Sequence, residues 1–104
     1  MTDLEMLHVF FPLDLRDAVV DALLELDELS GFSIVPIDGH SRDNSQLDKL
    51  EQVVGYRRMF RLEIIAGTEL RQRVIALLRE CRSCRPGDKG IRYYVTAVLD
   101  SGHI

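Results

Sequence analysis

Apolar and polar residues alternate along the chain in a pattern that predicts four strands and two helices. Apolar runs rich in β-branched and aromatic side chains predict strands at 4–13, 32–37, 55–66 and 91–99. Between these runs, apolar residues recur every three or four positions, which is the spacing of an amphipathic helix. We expect the first helix to begin with Asp14 as its cap and to end at Ser30-Gly31, and the second to begin with Thr68 as its cap.

These elements follow one another as strand, helix, strand, strand, helix, strand. That order is typical of the α+β ferredoxin-like fold, in which two helices cover one face of a four-stranded antiparallel sheet. A chain of 104 residues suits a single domain, which we place at residues 1–104. The first, third and fourth strands carry apolar residues on both sides. The apolar side chains on the second face of such a sheet would be exposed to water in a monomer. We therefore expect the chain to form a homo-oligomer.

A long polar loop, residues 38–55, separates the second strand from the third. Loops longer than about 12–15 residues are uncommon in small domains and are usually functional. Gly39 and Gly55 permit a positive φ at the two ends of the loop. Arg57 and Arg58 leave the third strand on opposite sides, so that one guanidinium can hold an anion. The alternative is a solvated loop whose arginines pair with nearby carboxylates.

A second candidate anion site precedes the last strand, at residues 86–92. Gly87 lets backbone amides approach a phosphate closely, and Lys89 adds a positive charge. Pro-Gly-Asp is also a common turn sequence, so a plain connection between helix and strand is the alternative.

Histidine and cysteine residues are the candidates for metal binding. His40 in the loop and His103 in the tail are possible exposed ligands, which an oligomer would bring together if the tail of one subunit met the loop of another. His8 alternates with apolar neighbours and is expected to be a packed strand or interface residue. Cys81 and Cys84 supply half of a tetrahedral zinc site. We expect them to be free thiols, with Cys81 in the core.

Charge and hydropathy exclude several classes of function. The formal net charge is −4 and the pI is about 5.3, so there is no overall basic field for nucleic acid. Apolar runs fall far short of the roughly 20 residues that span a membrane, so we expect no membrane insertion. The first residues lack the basic start of a secretory signal, which predicts a cytoplasmic protein. No nucleophile-elbow or paired-carboxylate pattern is present, which argues against an enzyme.

Several blocks of the chain resemble a family of small PII-like proteins of uncharacterised function. These proteins occur beside heavy-metal efflux pumps of the resistance-nodulation-division type, and they belong with the nitrogen-regulatory PII and CutA proteins. The similar blocks are 38–41 (DGHS), Leu47, 51–58 (EQVVGYRR) and 93–98 (YYVTAV). Ser41 stands where a second glycine is usual, and Tyr94 and Ala97 replace a common tryptophan and proline. These departures affect the shape of the loop and the chemistry of its rim.

The resemblance implies a non-enzymatic regulatory protein that forms a homotrimer. It implies a small-molecule ligand, an adenine nucleotide or a divalent metal ion, in the clefts between subunits. Residues 38–55 would then act like the T-loop of PII proteins and contact a partner, such as a transport or efflux protein. The alternative within the superfamily is a CutA-like protein that binds divalent metal ions. A third alternative is a docking module that binds no ligand.

Overall fold

The computed structural model describes residues 3–40, 57–84 and 91–104. These residues form four strands, two α-helices and two short 3-10 turns, in the predicted order. The strands are β1 (Leu4–Pro12), β2 (Ser33–Gly39), β3 (Arg57–Gly67) and β4 (Arg92–Ala97). The helices are α1 (Arg16–Leu23) and α2 (Thr68–Glu80), and the 3-10 turns are Leu13–Leu15 and Arg82–Cys84.

The strands pair antiparallel in one sheet, in the order β2-β3-β1-β4. At the centre, Leu7 lies opposite Ile64 and Val9 opposite Leu62. β2 is an edge strand, which suits Pro36 because proline cannot donate a hydrogen bond to a neighbouring strand. The predicted ferredoxin-like fold is confirmed.

The hydrophobic core lies between one face of this sheet and the two helices. Alternate residues of a strand point to opposite faces, and one set from each central strand is buried against the helices. The largest fully buried side chains are Phe11, Leu7, Leu23, Leu62, Ile64, Val9, Val19, Val74 and Cys84. Both predicted helical stripes contribute to this cluster. The other face of the sheet has no helix of the same chain packed on it among the described residues.

α1 is shorter than its hydrophobic pattern predicts. Leu13–Leu15 form a 3-10 turn, and Asp14 makes no capping hydrogen bond there, so the predicted cap is wrong. After Leu23 the chain continues in tighter turns, in which the amide of Leu26 donates to the carbonyl of Leu23 at 3.0 Å. These turns keep Leu26 packed against the core without a regular helix. In the described part of the chain, no helix is long and apolar enough to cross a membrane.

α2 begins without a side-chain cap, contrary to the expected role of Thr68. Gly67 occupies the N-cap position, and Thr68 is the first helical residue. The hydroxyl of Thr68 donates to the carbonyl oxygen of Asp3 at 3.4 Å. Thr68 therefore ties the start of the helix to the residue before β1.

The two cysteines form a disulfide, so the expectation of free thiols is wrong. α2 ends at Glu80, and Cys81, which follows it, has an extended backbone that ends the helix. In the following turn the amide of Cys84 donates to the carbonyl of Cys81 at 3.1 Å, and the two Cα atoms are 5.3 Å apart. That separation is within the range that a disulfide requires. Cys84 is fully buried in the core, whereas Cys81 is only half-buried at its border.

Candidate functional site

The sheet face away from the helices, here called the open face, combines apolar and polar side chains. The register places Met6 opposite Ile65, His8 opposite Glu63 and Phe10 opposite Arg61 on this face. Ile65 is 41% exposed, although it lies in a central strand. The prediction that the strands are apolar on both sides is therefore confirmed for β1, while β3 adds charged residues to the open face.

A polar cluster lies at the centre of the open face. Nε2 of His8 is 3.2 Å from the hydroxyl oxygen of Thr96, and its Nδ1 is 4.0 Å from Oε2 of Glu63. The other carboxylate oxygen of Glu63 lies 3.7 Å from Nη2 of Arg61. The side chain of His8 is only 12% exposed, which confirms that it is a packed strand residue. The side chains of His8 and Glu63 thus connect β1 with β3 and β4.

Aromatic rings cover one side of this cluster. The ring of Tyr94 stacks on His8 with centroids 4.4 Å apart and lies 5.6 Å from the ring of Phe10. The guanidinium carbon of Arg92 is 5.9 Å from the centre of the Phe10 ring, within the range of a cation–π contact. Tyr94 is 44% exposed, so this layer is the outer surface of the described chain.

Two buried nitrogens of the cluster have no hydrogen-bond partner among the described residues. They are Nδ1 of His8 and Nε of Arg61. A buried polar group without a partner costs about 1–3 kcal/mol, and such groups in native proteins call for an explanation. The described residues therefore leave hydrogen-bonding capacity unused at the centre of the open face.

A second group of candidate residues lies where β2 ends and β3 begins, here called the loop end of the sheet. Gly39 pairs with Arg57, and Asp38 pairs with Arg58. Since strand residues alternate between faces, the two arginines lie on opposite faces, as predicted. Arg58 and His40 are exposed. β4 begins at this same end, where Arg92 pairs with Phe10.

Gly39 does not have the role that the sequence predicts. It lies within β2, and its φ is outside the left-handed region, so the expected positive φ is wrong. A Cβ atom at this position would lie 2.9 Å from Sδ of Met59. Because the methionine side chain is flexible and the nearest backbone atom, the carbonyl oxygen of Arg57, would be 3.5 Å away, a larger residue here would need only a shift of Met59.

The remaining predicted site residues are separated from the loop end or lie outside the described residues. Gly55, Gly87 and Lys89 lie outside them, as does most of the loop 38–55. His103 is exposed in the tail that follows β4. β4 finishes at the opposite end of the sheet from His40, where the amide of Val98 donates to the carbonyl of Leu4 at 3.1 Å. Within residues 3–40, 57–84 and 91–104, no three histidine, cysteine or acidic side chains are grouped to hold a metal ion.

Two ion pairs fix α2 to the rest of the domain and perturb carboxyl groups. Nε of Arg71 donates to Oε1 of Glu5 at 2.9 Å, and this hydrogen bond lowers the pKa of Glu5. Nη2 of Arg73 lies at the same distance from Oε1 of Glu28. The pKa of Glu28 is also lowered, first by a hydrogen bond from its own backbone amide and then by that from Arg73. Both pairs are structural and lie away from the open face.

Comparison with known proteins places the chain in a family. The family model described as "Protein of unknown function (DUF3240)" matches residues 1–104. The chain belongs to the DUF3240 family. A solved DUF3240 protein from Shewanella baltica OS155 is 27% identical, with a TM-score of 0.77 over 100% of this chain and 99% of that chain. None of the curated proteins matches.

A second structural neighbour of this DUF3240 protein is a PII protein. PII of Arabidopsis thaliana, solved bound to citrate, has a TM-score of 0.67 over 94% of this chain and 77% of that chain. The two sequences are 16% identical, so the likeness shows the shared fold. The resemblance to PII-like proteins of uncharacterised function, stated from sequence blocks, is confirmed.

Sequence reasoning missed the ionic centre of the open face. Arg61 and Glu63 were not recognised, although they lie at alternate positions of an otherwise apolar strand. Charged residues at alternate strand positions, on the same side as an apolar set, were the available signal. The contact of Glu63 with His8 depends on the register of β1 with β3, which a single sequence does not specify.

Proposed function

We propose that this DUF3240 protein is a non-enzymatic, PII-like regulatory protein. It assembles as a homotrimer through the open face, binds a small ligand between subunits near the loop end, and presents residues 38–55 to a partner. The observation that carries the proposal is the open face itself, which combines exposed apolar side chains with a polar cluster that the described residues do not fully satisfy.

Self-association is favoured by the chemistry of that face. Burying each of the large side chains there, such as Ile65, Tyr94 and Phe10, is worth roughly 1.5–3 kcal/mol. A second subunit can also supply a hydrogen-bond partner for Nδ1 of His8 and an acceptor for the Nε–H of Arg61. Closed rotational symmetry is the usual outcome of self-association, and the PII-like fold favours three subunits over other closed forms.

A small anionic ligand is supported by the positive charges at the loop end. Arg57, Arg58 and Arg92 begin strands at this end of the sheet. The segment that leads to β4 carries Gly87 and Lys89, so both predicted anion-binding segments adjoin this end in the chain. The structural neighbour from Arabidopsis was solved bound to citrate, a small polycarboxylate. An adenine nucleotide, or another small anion such as bicarbonate, fits this chemistry.

The regulatory role and its setting rest on the resemblance to PII-like proteins beside heavy-metal efflux pumps. We propose that a cytoplasmic trimer contacts a transport or efflux protein through residues 38–55. Ligand binding would change how this segment is ordered, which requires that the ligand bind its ordered and disordered states with different affinities.

A thermal-shift panel tests the ligand. The protein is melted with adenine nucleotides, bicarbonate, citrate, and divalent copper, zinc, cobalt and nickel, because a ligand that prefers the native state raises the midpoint. The proposal expects stabilisation by a nucleotide or another small anion that is lost in Arg58→Ala or Lys89→Ala, with Arg79→Ala as a surface control.

Two results would contradict the ligand proposal. Stabilisation by a metal ion alone, lost in His40→Ala or His103→Ala, would support the CutA-like alternative. The absence of a shift with any of these compounds would support the third alternative, a docking module that binds no ligand.

A further inference from the structure

We propose that the tail of one subunit, residues 99–104, lies across the open face of a neighbouring subunit and places the carboxylate of Asp100 between Arg61 and Arg92 of that subunit. This contact rests on the proposed assembly through the open face. It adds to that assembly the segment that covers the face and the pairing that aligns it.

The tail carries apolar side chains that its own chain does not cover. The amide of Val98 donates to the carbonyl of Leu4, the first residue of β1, so the tail starts at the end of the sheet and not over its open face. Every residue from 99 to 104 is exposed. Leu99 is 98% exposed and Ile104 is fully exposed. Both side chains are therefore available to a second copy of the chain.

The open face has the charge that the tail lacks. Strand alternation places three arginines on this face, Arg57, Arg61 and Arg92, against the single carboxylate of Glu63. The face is thus positive, although the whole chain has a net charge of −4. The tail carries one acidic residue, Asp100, and no lysine or arginine. The two surfaces are complementary in charge as well as in apolar character.

The register of the sheet gives the acidic residue a defined place. Phe10 pairs with Arg61 on one side and with Arg92 on the other, so the three residues form a row across β3, β1 and β4. Strands lie about 4.8 Å apart, which puts the two arginines roughly 10 Å from each other at their Cα atoms. A carboxylate above the Phe10 ring can then accept charge-assisted hydrogen bonds from both guanidinium groups.

Both arginines have capacity for such a contact. The side chain of Arg61 is 35% exposed, and its nearest carboxylate oxygen, that of Glu63, is 3.7 Å away. Arg92 is exposed, and its guanidinium lies over the ring of Phe10 at 5.9 Å without a carboxylate partner among the described residues. Six extended residues span up to about 20 Å, which is enough to cross four strands. The tail can therefore reach this row and cover the apolar side chains beside it.

Charge argues against the other open surface of the described chain. A groove of about 590 Å³ lies between α1 and the end of α2, and its lining includes the carboxylates of Asp21, Glu25 and Glu80. These groups, together with the partial negative charge at the C-terminus of α2, would repel Asp100. The groove is thus the poorer site for the tail.

Removal of residues 99–104 tests whether the tail holds the assembly together. Light scattering over a dilution series gives the concentration at which half of the chains are assembled. We expect this concentration to rise at least about tenfold, because burying one leucine or isoleucine side chain changes an equilibrium by that factor or more. An unchanged concentration would overturn the contact.

A matched pair of charge reversals tests the pairing of Asp100. Asp100→Lys should weaken assembly at least about fivefold, whereas Glu25→Lys, the same change of charge in the groove, should leave it unchanged. Equal effects of the two variants would contradict the pairing with the arginines of the open face.

Cross-linking between two different chains tests the position of the tail. Chains with Asp100→Cys are co-expressed with chains that carry Phe10→Cys, and a short bismaleimide joins thiols that lie close together. We expect a covalent dimer with Phe10→Cys and none with Glu25→Cys or with the wild-type chain. Circular dichroism confirms folding, and Tyr94→Cys replaces Phe10→Cys if the latter is not folded. A dimer with Glu25→Cys, or none with either open-face variant, would overturn the proposed position.

The mass of the wild type separates failure of this contact from failure of the proposed function. A wild type that is monomeric at every concentration overturns assembly through the open face and the tail contact with it. A trimer that keeps its mass and its dilution behaviour without residues 99–104 overturns the tail contact alone.

Discussion

Nδ1 of His8 lies 4.0 Å from Oε2 of Glu63, across the pairing of β1 with β3 and at the centre of the open face. The contact places a histidine and a carboxylate among apolar side chains on a surface that no helix of the described chain covers. In the proposed assembly, such a polar pair would contribute more to the alignment of the subunits than to the free energy of association. The open face thus has the composition of a specific interface rather than of a general hydrophobic patch.

Removing Glu63 alone should destabilise the protein. Glu63→Ala leaves the guanidinium of Arg61, whose side chain is 35% exposed but whose Nε is buried, without its carboxylate partner, and we expect a loss of about 1 kcal/mol in the free energy of unfolding. Urea unfolding measures this value. The double variant Arg61→Met, Glu63→Leu removes both charges and should be less destabilised than Glu63→Ala alone. The opposite order would contradict the role assigned to this pair.

The sheet face that packs against the helices should respond to the truncation of its side chains as a tightly packed core does. Leu62 is 0% exposed at the centre of the sheet, so Leu62→Ala should lower the free energy of unfolding by about 2–5 kcal/mol. Leu24→Ala is the matched control because Leu24 is 66% exposed, and its effect should stay within about 0.5 kcal/mol. Similar losses in both variants would mean that the core is placed wrongly.

The ion pair of Glu5 with Arg71 should give a pH-dependent contribution to stability. The hydrogen bond from Arg71 lowers the pKa of Glu5 in the folded protein. A lowered folded pKa stabilises the fold above the ordinary pKa of glutamate, and the contribution is lost as pH falls through the lowered value. Glu5→Gln should therefore be less stable than wild type at neutral pH. The difference should shrink in acid, as measured by urea unfolding at several pH values, and a difference independent of pH would contradict this origin.

The fold could be predicted from the sequence because its signals are local and consistent. Apolar positions in α2 recur with helical spacing, and Pro36 indicates that its strand either lies at an edge of the sheet, as it does, or bends there. The predicted ends of the helices were less accurate. Neither Asp14 nor Thr68 acts as a cap, since tertiary contacts such as that of Thr68 with the carbonyl of Asp3 determine what those side chains bind.

The candidate site could be predicted only where it depends on a single strand. The opposite orientation of Arg57 and Arg58 follows from strand alternation, whereas the cluster of His8, Arg61 and Glu63 depends on how two strands align. The Cys81–Cys84 bond was missed for a different reason. Two cysteines three positions apart predict little by themselves, and only the turn after α2 brings their Cα atoms to 5.3 Å.

The most direct test of the account is the mass of the protein in solution, measured by size-exclusion chromatography with light scattering. We expect the wild type to have three times the 11.9 kDa mass of one chain. Ile65→Glu, which places a charge on the open face, should dissociate the assembly while remaining folded by circular dichroism, and Leu24→Glu on the helical side should leave it intact. A monomeric wild type, or a trimer that Ile65→Glu leaves unchanged, would contradict assembly through the open face.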